Sequence, residues 1–147
     1  NPDNVSGDYW LDPKEGPWPN VWLGTSVETQ QFAEKRISQL VNVPAIVHFL
    51  SCEPLLGPID FSAGHKCAEC SIGQTYFYPL LDDIEWVIIG GESGPNFRPM
   101  DPAWARSIRD QCHAAGVPFF YKQGSARFPE ADTKLDGREW REMPRGQ

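Results

Sequence analysis

A chain of 147 residues with 40% hydrophobic and 12% aromatic content can bury one sizeable core, about two thirds of the surface its unfolded form would expose, which excludes disorder throughout. A formal net charge of -7 opposes unaided nucleic-acid binding, because few cations are available to displace phosphate counterions. There is no apolar run of membrane-spanning length and the first residues do not read as an export signal, while four cysteines are too few for a disulfide-built scaffold; a reducing cytoplasm is the expected compartment.

Residues 1–18 have no hydrophobic period and are rich in turn formers, so they read as an arm or loop. The segment Val21 to Val27 is apolar and β-branched enough for a first strand, with Glu28 at its C-terminal end. Thr29 then caps a helix carrying Phe32, Ala33, Arg36, Ile37, Leu40 and Val41, which Pro44 stops. A second strand, Ala45 to Cys52, ends at Glu53-Pro54, and the pattern has repeated.

From Pro54 to Asp83 the helical period is missing, and the segment reads as a long loop insertion over residues 54–83. Loops of that length are uncommon inside compact domains and are usually functional, mobile or tied down. This one contains His65, Cys67 and Cys70, which could supply three zinc ligands, with Cys52 or His48 or a partner chain providing a fourth. One Cys-x-x-Cys knuckle without a second is a weak signal, so a solvent loop and a redox-labile thiol pair stand beside zinc as readings. His48 itself, in mid-strand, and His113, late in a helix, read as packed or surface histidines.

A third strand, Glu85 to Gly90, opens onto Gly91, Glu92 and Ser93. Asp101 caps and Pro102 begins a helix with Trp104, Ile108, Cys112 and Ala115 on one face, stopped by Gly116, and a fourth strand covers Val117 to Gln123. Residues 125–147 form an irregular tail. Its Arg138, Arg141 and Arg145 are offset by Asp136, Glu139 and Glu142, and together with Arg106 and Arg109 they read as solvated surface charge.

Two β-α-β units over residues 19–124 predict an α/β fold with a parallel sheet of about four strands, two main helices and a long central loop. Ligands of parallel sheets bind at the C-terminal strand ends. Those ends carry Glu28, Glu53, Glu92 with Ser93, and Lys122 with Gln123. Carboxylates there could accept ribose hydroxyls, hold a metal or move protons, and they could equally cap helices or pair with basic side chains. Arg98 could clamp an anion or pair with Glu92. Gly90-Gly91 lacks the G-x-G-x-x-G spacing of a dinucleotide fingerprint, and neither a nucleophile elbow, a Walker loop nor H-E-x-x-H occurs.

The phrases PNVWLGTSVE (19–28), FLSCEPLLGPID (49–60), WVIIGGESGPNFRPMDPAW (86–104), VPFFYKQ (117–123) and LDGREWREMP (135–144), taken together, closely resemble a family of phage and bacterial proteins of unassigned function that carry a three-cysteine motif and look like radical S-adenosylmethionine enzymes. The resemblance implies the C-terminal half of a partial (β/α) barrel. It also implies a [4Fe-4S] cluster and S-adenosylmethionine for the full-length family, with Glu28, Glu53, Glu92 and Ser93 lining the mouth and Lys122 and Gln123 closing it. No C-x-x-x-C-x-x-C occurs in this chain, so the cluster-binding half is absent and the chain alone is not expected to carry out radical chemistry.

An unpaired strand edge is expected to be covered by the missing half, a second copy, another chain or the N-terminal arm. Two functions follow. One is part of a radical S-adenosylmethionine-like enzyme of unassigned substrate, held at the Glu-lined rim, with nucleic acid or nucleotides suggested by the phage context alone; the other is a non-catalytic phage-encoded binding or inhibitor module on the same scaffold.

Overall fold

The computed structural model of the chain describes residues 11–12, 16–63, 65–66 and 77–144. Its centre is a sheet of four parallel strands, β3 (Leu23–Ser26), β4 (His48–Cys52), β7 (Trp86–Gly90) and β8 (Phe119–Gln123), in the order β3-β4-β7-β8. Two short antiparallel ribbons accompany it, β1 (Leu11–Asp12) with β2 (Gly16–Pro17), and β5 (His65–Lys66) with β6 (Phe77–Tyr78). The α/β class and the parallel sheet read from the sequence are therefore present, each strand starting one to three residues later than its apolar run.

The helices sit where the sequence puts them, with different end chemistry. Helix α1 (Gln30–Leu40) follows Thr29, whose side chain makes no capping bond, and it ends at Val41, before Pro44. Helix α2 (Pro102–Ala115) is capped by Asp101 through the Ala103 N–H and closed by Gly116 in the left-handed conformation, φ 73°. Ala33, Ile37 and Leu40 of α1 and Ala105, Ile108 and Cys112 of α2 share one core with Leu50, Cys52, Val87, Ile89, Phe119 and Tyr121 of the strands. Alternation along a strand turns every second side chain the other way. The opposite face thus carries Phe49, Ser51, Trp86, Ile88 and Phe120, all only half-buried, with Lys122 exposed.

The connection over residues 54–83 lacks the helical period, as its sequence suggests, but its described part is not a free loop. Leu55, Ile59, Phe61, Leu80 and Leu81 are buried in the core, Phe61 on a single turn of 3-10 helix. Gln111 of α2 holds it from outside: its Oε1 accepts the Phe61 N–H at 2.7 Å and its Nε2 donates to the Ile59 carbonyl at 2.9 Å.

The outer edge of β8 is paired by the chain's own tail. The Tyr121 N–H donates to the Trp140 carbonyl at 2.9 Å and the Glu142 N–H to the Phe119 carbonyl at 3.2 Å, in an antiparallel bridge of Phe120 with Arg141. The tail that reads as irregular thus works as an edge guard. At the other side of the sheet no strand pairs with the outer edge of β3 among the described residues; the Arg36 guanidinium covers the Ser26 carbonyl there, at 2.7 Å.

Candidate functional site

The C-terminal strand ends are built around Glu53. It follows β4 in the same alternation as Phe49 and Ser51, so it belongs to the half-open face, and its carboxylate crosses to the next two strands. Lys122 Nζ donates to Glu53 Oε2 at 3.3 Å, and the Ser51 hydroxyl reaches the same oxygen at 3.5 Å. Lys122 is available because the register slips between Ile89 and Gly90: Ile89 faces Tyr121 and Gly90 faces Gln123, leaving Lys122 as the extra residue of a bulge. Between Glu53 and Lys122 lies Gly90. A Cβ there would run into Glu53 Oε1, Cδ and Cγ, so glycine is what lets the carboxylate lie across β7.

The second oxygen, Glu53 Oε1, is buried and has no hydrogen-bond partner, alone in this among the described side chains. An unmet acceptor of this kind costs about 1–3 kcal/mol, more when charged. The side chain as a whole remains 23% exposed, and its terminal torsion is soft, so the oxygen can turn to meet a donor arriving from outside.

The other predicted rim residues are present at the strand ends and already engaged. Glu28 pairs with Arg36 at 2.9 Å. Glu92 accepts both the Arg98 guanidinium, at 2.7 and 3.1 Å, and the Arg98 backbone N–H at 2.8 Å, and these bonds hold its carboxyl below the usual carboxylate range. Arg98 thus takes the pairing role rather than standing free as an anion clamp. Gln123 is buried and its amide is committed: Oε1 accepts the Glu130 N–H at 2.7 Å and Nε2 donates to the Gly91 carbonyl at 3.2 Å. Ser93 bridges to Ala126, and Gly91 packs against the backbone of Gly124 and Ser125. The loops after β7 and β8 are therefore latched together into one wall, and Glu53–Lys122 is the ion pair that the described rim residues make across strands.

Two features of the site were not among the sequence candidates. One is the Ser51 hydroxyl with the Gly90 gap. The other is the aromatic floor, in which Trp86 has Phe49 at 6.0 Å, Phe120 at 5.9 Å and Trp22 at 6.0 Å between ring centroids, the last two edge-on. The signal for both was strand alternation: Phe49, Ser51 and Glu53 on β4, Trp86, Ile88 and Gly90 on β7, and Phe120 and Lys122 on β8 are each spaced by two and share one face of the sheet.

The zinc candidates Cys67 and Cys70, and the side chain of His65, lie outside the described residues. No cluster of three or more His, Cys, Asp or Glu side chains that could hold a metal occurs among the described residues. Cys52 and Cys112 are free and buried in the core. Burial pushes both thiols up, Cys112 to about 12, and for Cys52 the neighbouring acidic groups Cys112, Glu53 and Glu28 push in the same direction. His48 Nε2 lies 2.8 Å from the Val43 carbonyl, and half-exposed His113 meets Glu142 at 3.2 Å, the packed and surface roles expected of them. Arg106 and Arg109 both bind Asp136, at 2.8 and 3.0 Å, so Asp136 offsets these helix arginines and not the tail arginines the sequence assigned to it, and Arg109 is largely buried where solvated surface charge was expected.

The fold and the rim define an α/β protein with polar groups at the C-terminal strand ends and a half-open aromatic sheet face beneath them. The chain belongs to the family described as Protein of unknown function (DUF5131), which it matches over residues 4–144. It is also similar, at 28% identity over 132 residues, to a tRNA sulfurtransferase of Pseudomonas putida; the match covers 85% of this chain and 26% of that relative. The chain thus spans about a quarter of the length of the curated relative it matches. No solved structure matches it. No helix among the described residues is long and apolar enough to cross a membrane.

Proposed function

We propose that this chain supplies a ligand-binding wall to a phage or bacterial enzyme of the radical S-adenosylmethionine-like kind, with a nucleotide or nucleic-acid substrate, and that the ligand is taken at the Glu53–Lys122 rim. The observation carrying this reading is the buried, unpartnered Glu53 Oε1. Native structures rarely leave such a group unmet unless a ligand or water completes it. A donor-bearing ligand, such as an amine or a sugar hydroxyl, would satisfy the oxygen, while Lys122, 3.3 Å from the other oxygen, orients the carboxylate.

Similarity to the P. putida tRNA sulfurtransferase supports a substrate that contains nucleosides. S-adenosylmethionine carries an α-amino group and ribose hydroxyls, donors that the rim carboxylates suit. An iron–sulfur cluster is another matter: the described cysteines, Cys52 and Cys112, are packed in the core with raised thiol pKa values and do not suit thiolate ligation. The contribution of the described residues is therefore binding and orientation.

The reading is tested by titrating the full-length protein with adenosine, cytidine, guanosine and uridine while following the Glu53 carboxyl carbon by NMR. Binding that shifts this resonance, and that weakens in Glu53→Gln, is the expected result. Ligand binding that leaves Glu53 unmoved would sink the proposal.

A further inference from the structure

Below the rim, the half-open face of the sheet is graded. Phe49 on β4 faces Trp86 on β7, and Phe120 on β8 faces Ile88, two residues further along β7. Ser51 and Ile88 separate this aromatic floor from Glu53 and Gly90. Four residues of strand separate Phe49 from Glu53, a distance of about 13 Å, and two separate Phe120 from Lys122, about 7 Å. A nucleoside, with a flat base at one end and hydroxyls at the other, is of this order of length.

Parallel sheets ordinarily have both faces covered. Among the described residues the helices pack on one face, and the other presents half-buried rings beside an acceptor without a donor. The chemistry selects among occupants. An aliphatic segment would satisfy the rings and leave Glu53 Oε1 unmet. A polyanionic strand lying along the face would meet a chain of net charge -7, and the cation at the rim, Lys122, is paired with Glu53. A single neutral nucleoside unit satisfies both, its base stacking on one ring and meeting the others edge-on, since Phe49 and Phe120 stand at 52° and 89° to Trp86, and a hydroxyl donating to the carboxylate. Insertion of one unstacked unit is also how enzymes reach a base within a larger nucleic acid.

Resting on the functional reading above, we propose that the open sheet face is the seat of the substrate's nucleoside, the base lying against Phe49, Trp86 and Phe120 and a sugar hydroxyl donating to Glu53 Oε1. Two of these rings also touch the tail: the Arg141 guanidinium lies over the Phe120 ring, 5.1 Å from its centroid, and Trp86 Nε1 donates to the Glu142 carbonyl at 2.9 Å.

The test is equilibrium binding of free nucleosides to the full-length protein, read by tryptophan fluorescence quenching, with methyl riboside and S-adenosylhomocysteine as comparison ligands. Nucleosides are expected to quench tryptophan fluorescence and methyl riboside is not, and Phe120→Leu should weaken nucleoside binding about tenfold, within the range for loss of one stacking ring. Phe49→Leu serves the same purpose should Phe120→Leu lose its native circular dichroism. Methyl riboside binding as tightly as nucleosides, with no effect of either ring variant, overturns the base seat while leaving the Glu53 rim intact. Tighter quenching by S-adenosylhomocysteine than by every nucleoside assigns the face to an adenosyl cofactor and also overturns it. Absence of binding by all these ligands overturns both readings.

Discussion

Gly90 and Gly91 are adjacent, and the same substitution at each should have opposite consequences. Alanine at Gly90 places its methyl against Glu53 Oε1, Cδ and Cγ, the far end of a flexible side chain. The carboxylate can swing away, giving up a bond to Lys122 whose side chain is 51% exposed; such pairs contribute about 0–1 kcal/mol. Replacing a strand glycine returns roughly 0.5–1 kcal/mol of backbone entropy. Gly90→Ala should therefore change stability by less than about 1 kcal/mol, a shift in Tm of at most a few degrees.

Alanine at Gly91 instead meets the backbone nitrogen of Ser125 and the carbonyl carbon of Gly124, which cannot rotate aside, and overpacking of that kind costs about 1–3 kcal/mol. Thermal unfolding of both variants, with NMR of the Glu53 carboxyl carbon and its response to Lys122→Ala, separates the two. The expected pattern is a near-native Tm but a displaced, Lys122-insensitive Glu53 in Gly90→Ala, and a lowered Tm with Glu53 unmoved in Gly91→Ala. If Gly90→Ala keeps Glu53 in contact with Lys122, the geometric role given to Gly90 is wrong.

Cys52 and Cys112, buried with raised pKa values, should resist iodoacetamide at pH 8 in the native protein and react on unfolding; rapid native alkylation, read by mass spectrometry, would contradict their core placement. Asp136 is held below its ordinary value of 3.8 by hydrogen bonds from Arg106 and then Arg109. A depressed carboxylate contributes stability that is present above its unfolded value and lost as pH falls through the folded one, so Arg106→Ala should move the Asp136 titration upward and weaken the pH dependence of unfolding below about pH 4. An unchanged Asp136 titration would remove that pair from the account. Trp140 packs against the core and its Nε1 donates to the Leu135 carbonyl at 3.1 Å; Trp140→Ala should cost about 3 kcal/mol in denaturant unfolding, and a loss below about 1 kcal/mol would show that the tail guards the edge of β8 without anchoring it.

The strands and helices were legible because each element satisfies a local rule. The apolar runs ending at Cys52 and Gly90 are short and continuous, as buried parallel strands require, and Asp101-Pro102 with Gly116 marks both ends of α2 by chain chemistry alone. The packing of residues 54–63 and 79–83 was not legible in that way. Leu55, Ile59, Phe61 and Leu80 follow no period because they are held individually, by Gln111 and by backbone bonds to Gly90 and Phe61, over separations that no local window spans. The tail escaped for the same reason: its pairing with Phe119 and Tyr121 is a nonlocal bridge, and nothing in its own composition distinguishes it from loop.

At the rim, sequence logic placed Glu28, Glu53, Glu92 and Lys122 at the correct end of the sheet because a β-α-β repeat fixes which strand ends align. It could not rank them, since rank depends on what each carboxylate already holds. Glu28 and Glu92 find arginines close in sequence, eight and six residues away, and are spent on local order. Glu53 meets an exposed lysine 69 residues away, and one of its oxygens is left over. The carboxylate with an oxygen to spare is thus the one whose local sequence, a serine two positions before it and a proline directly after it, supplies no charge to neutralise it. The glycine that gives its carboxylate room comes from a neighbouring strand, so the site is a property of strand order and register as much as of any motif.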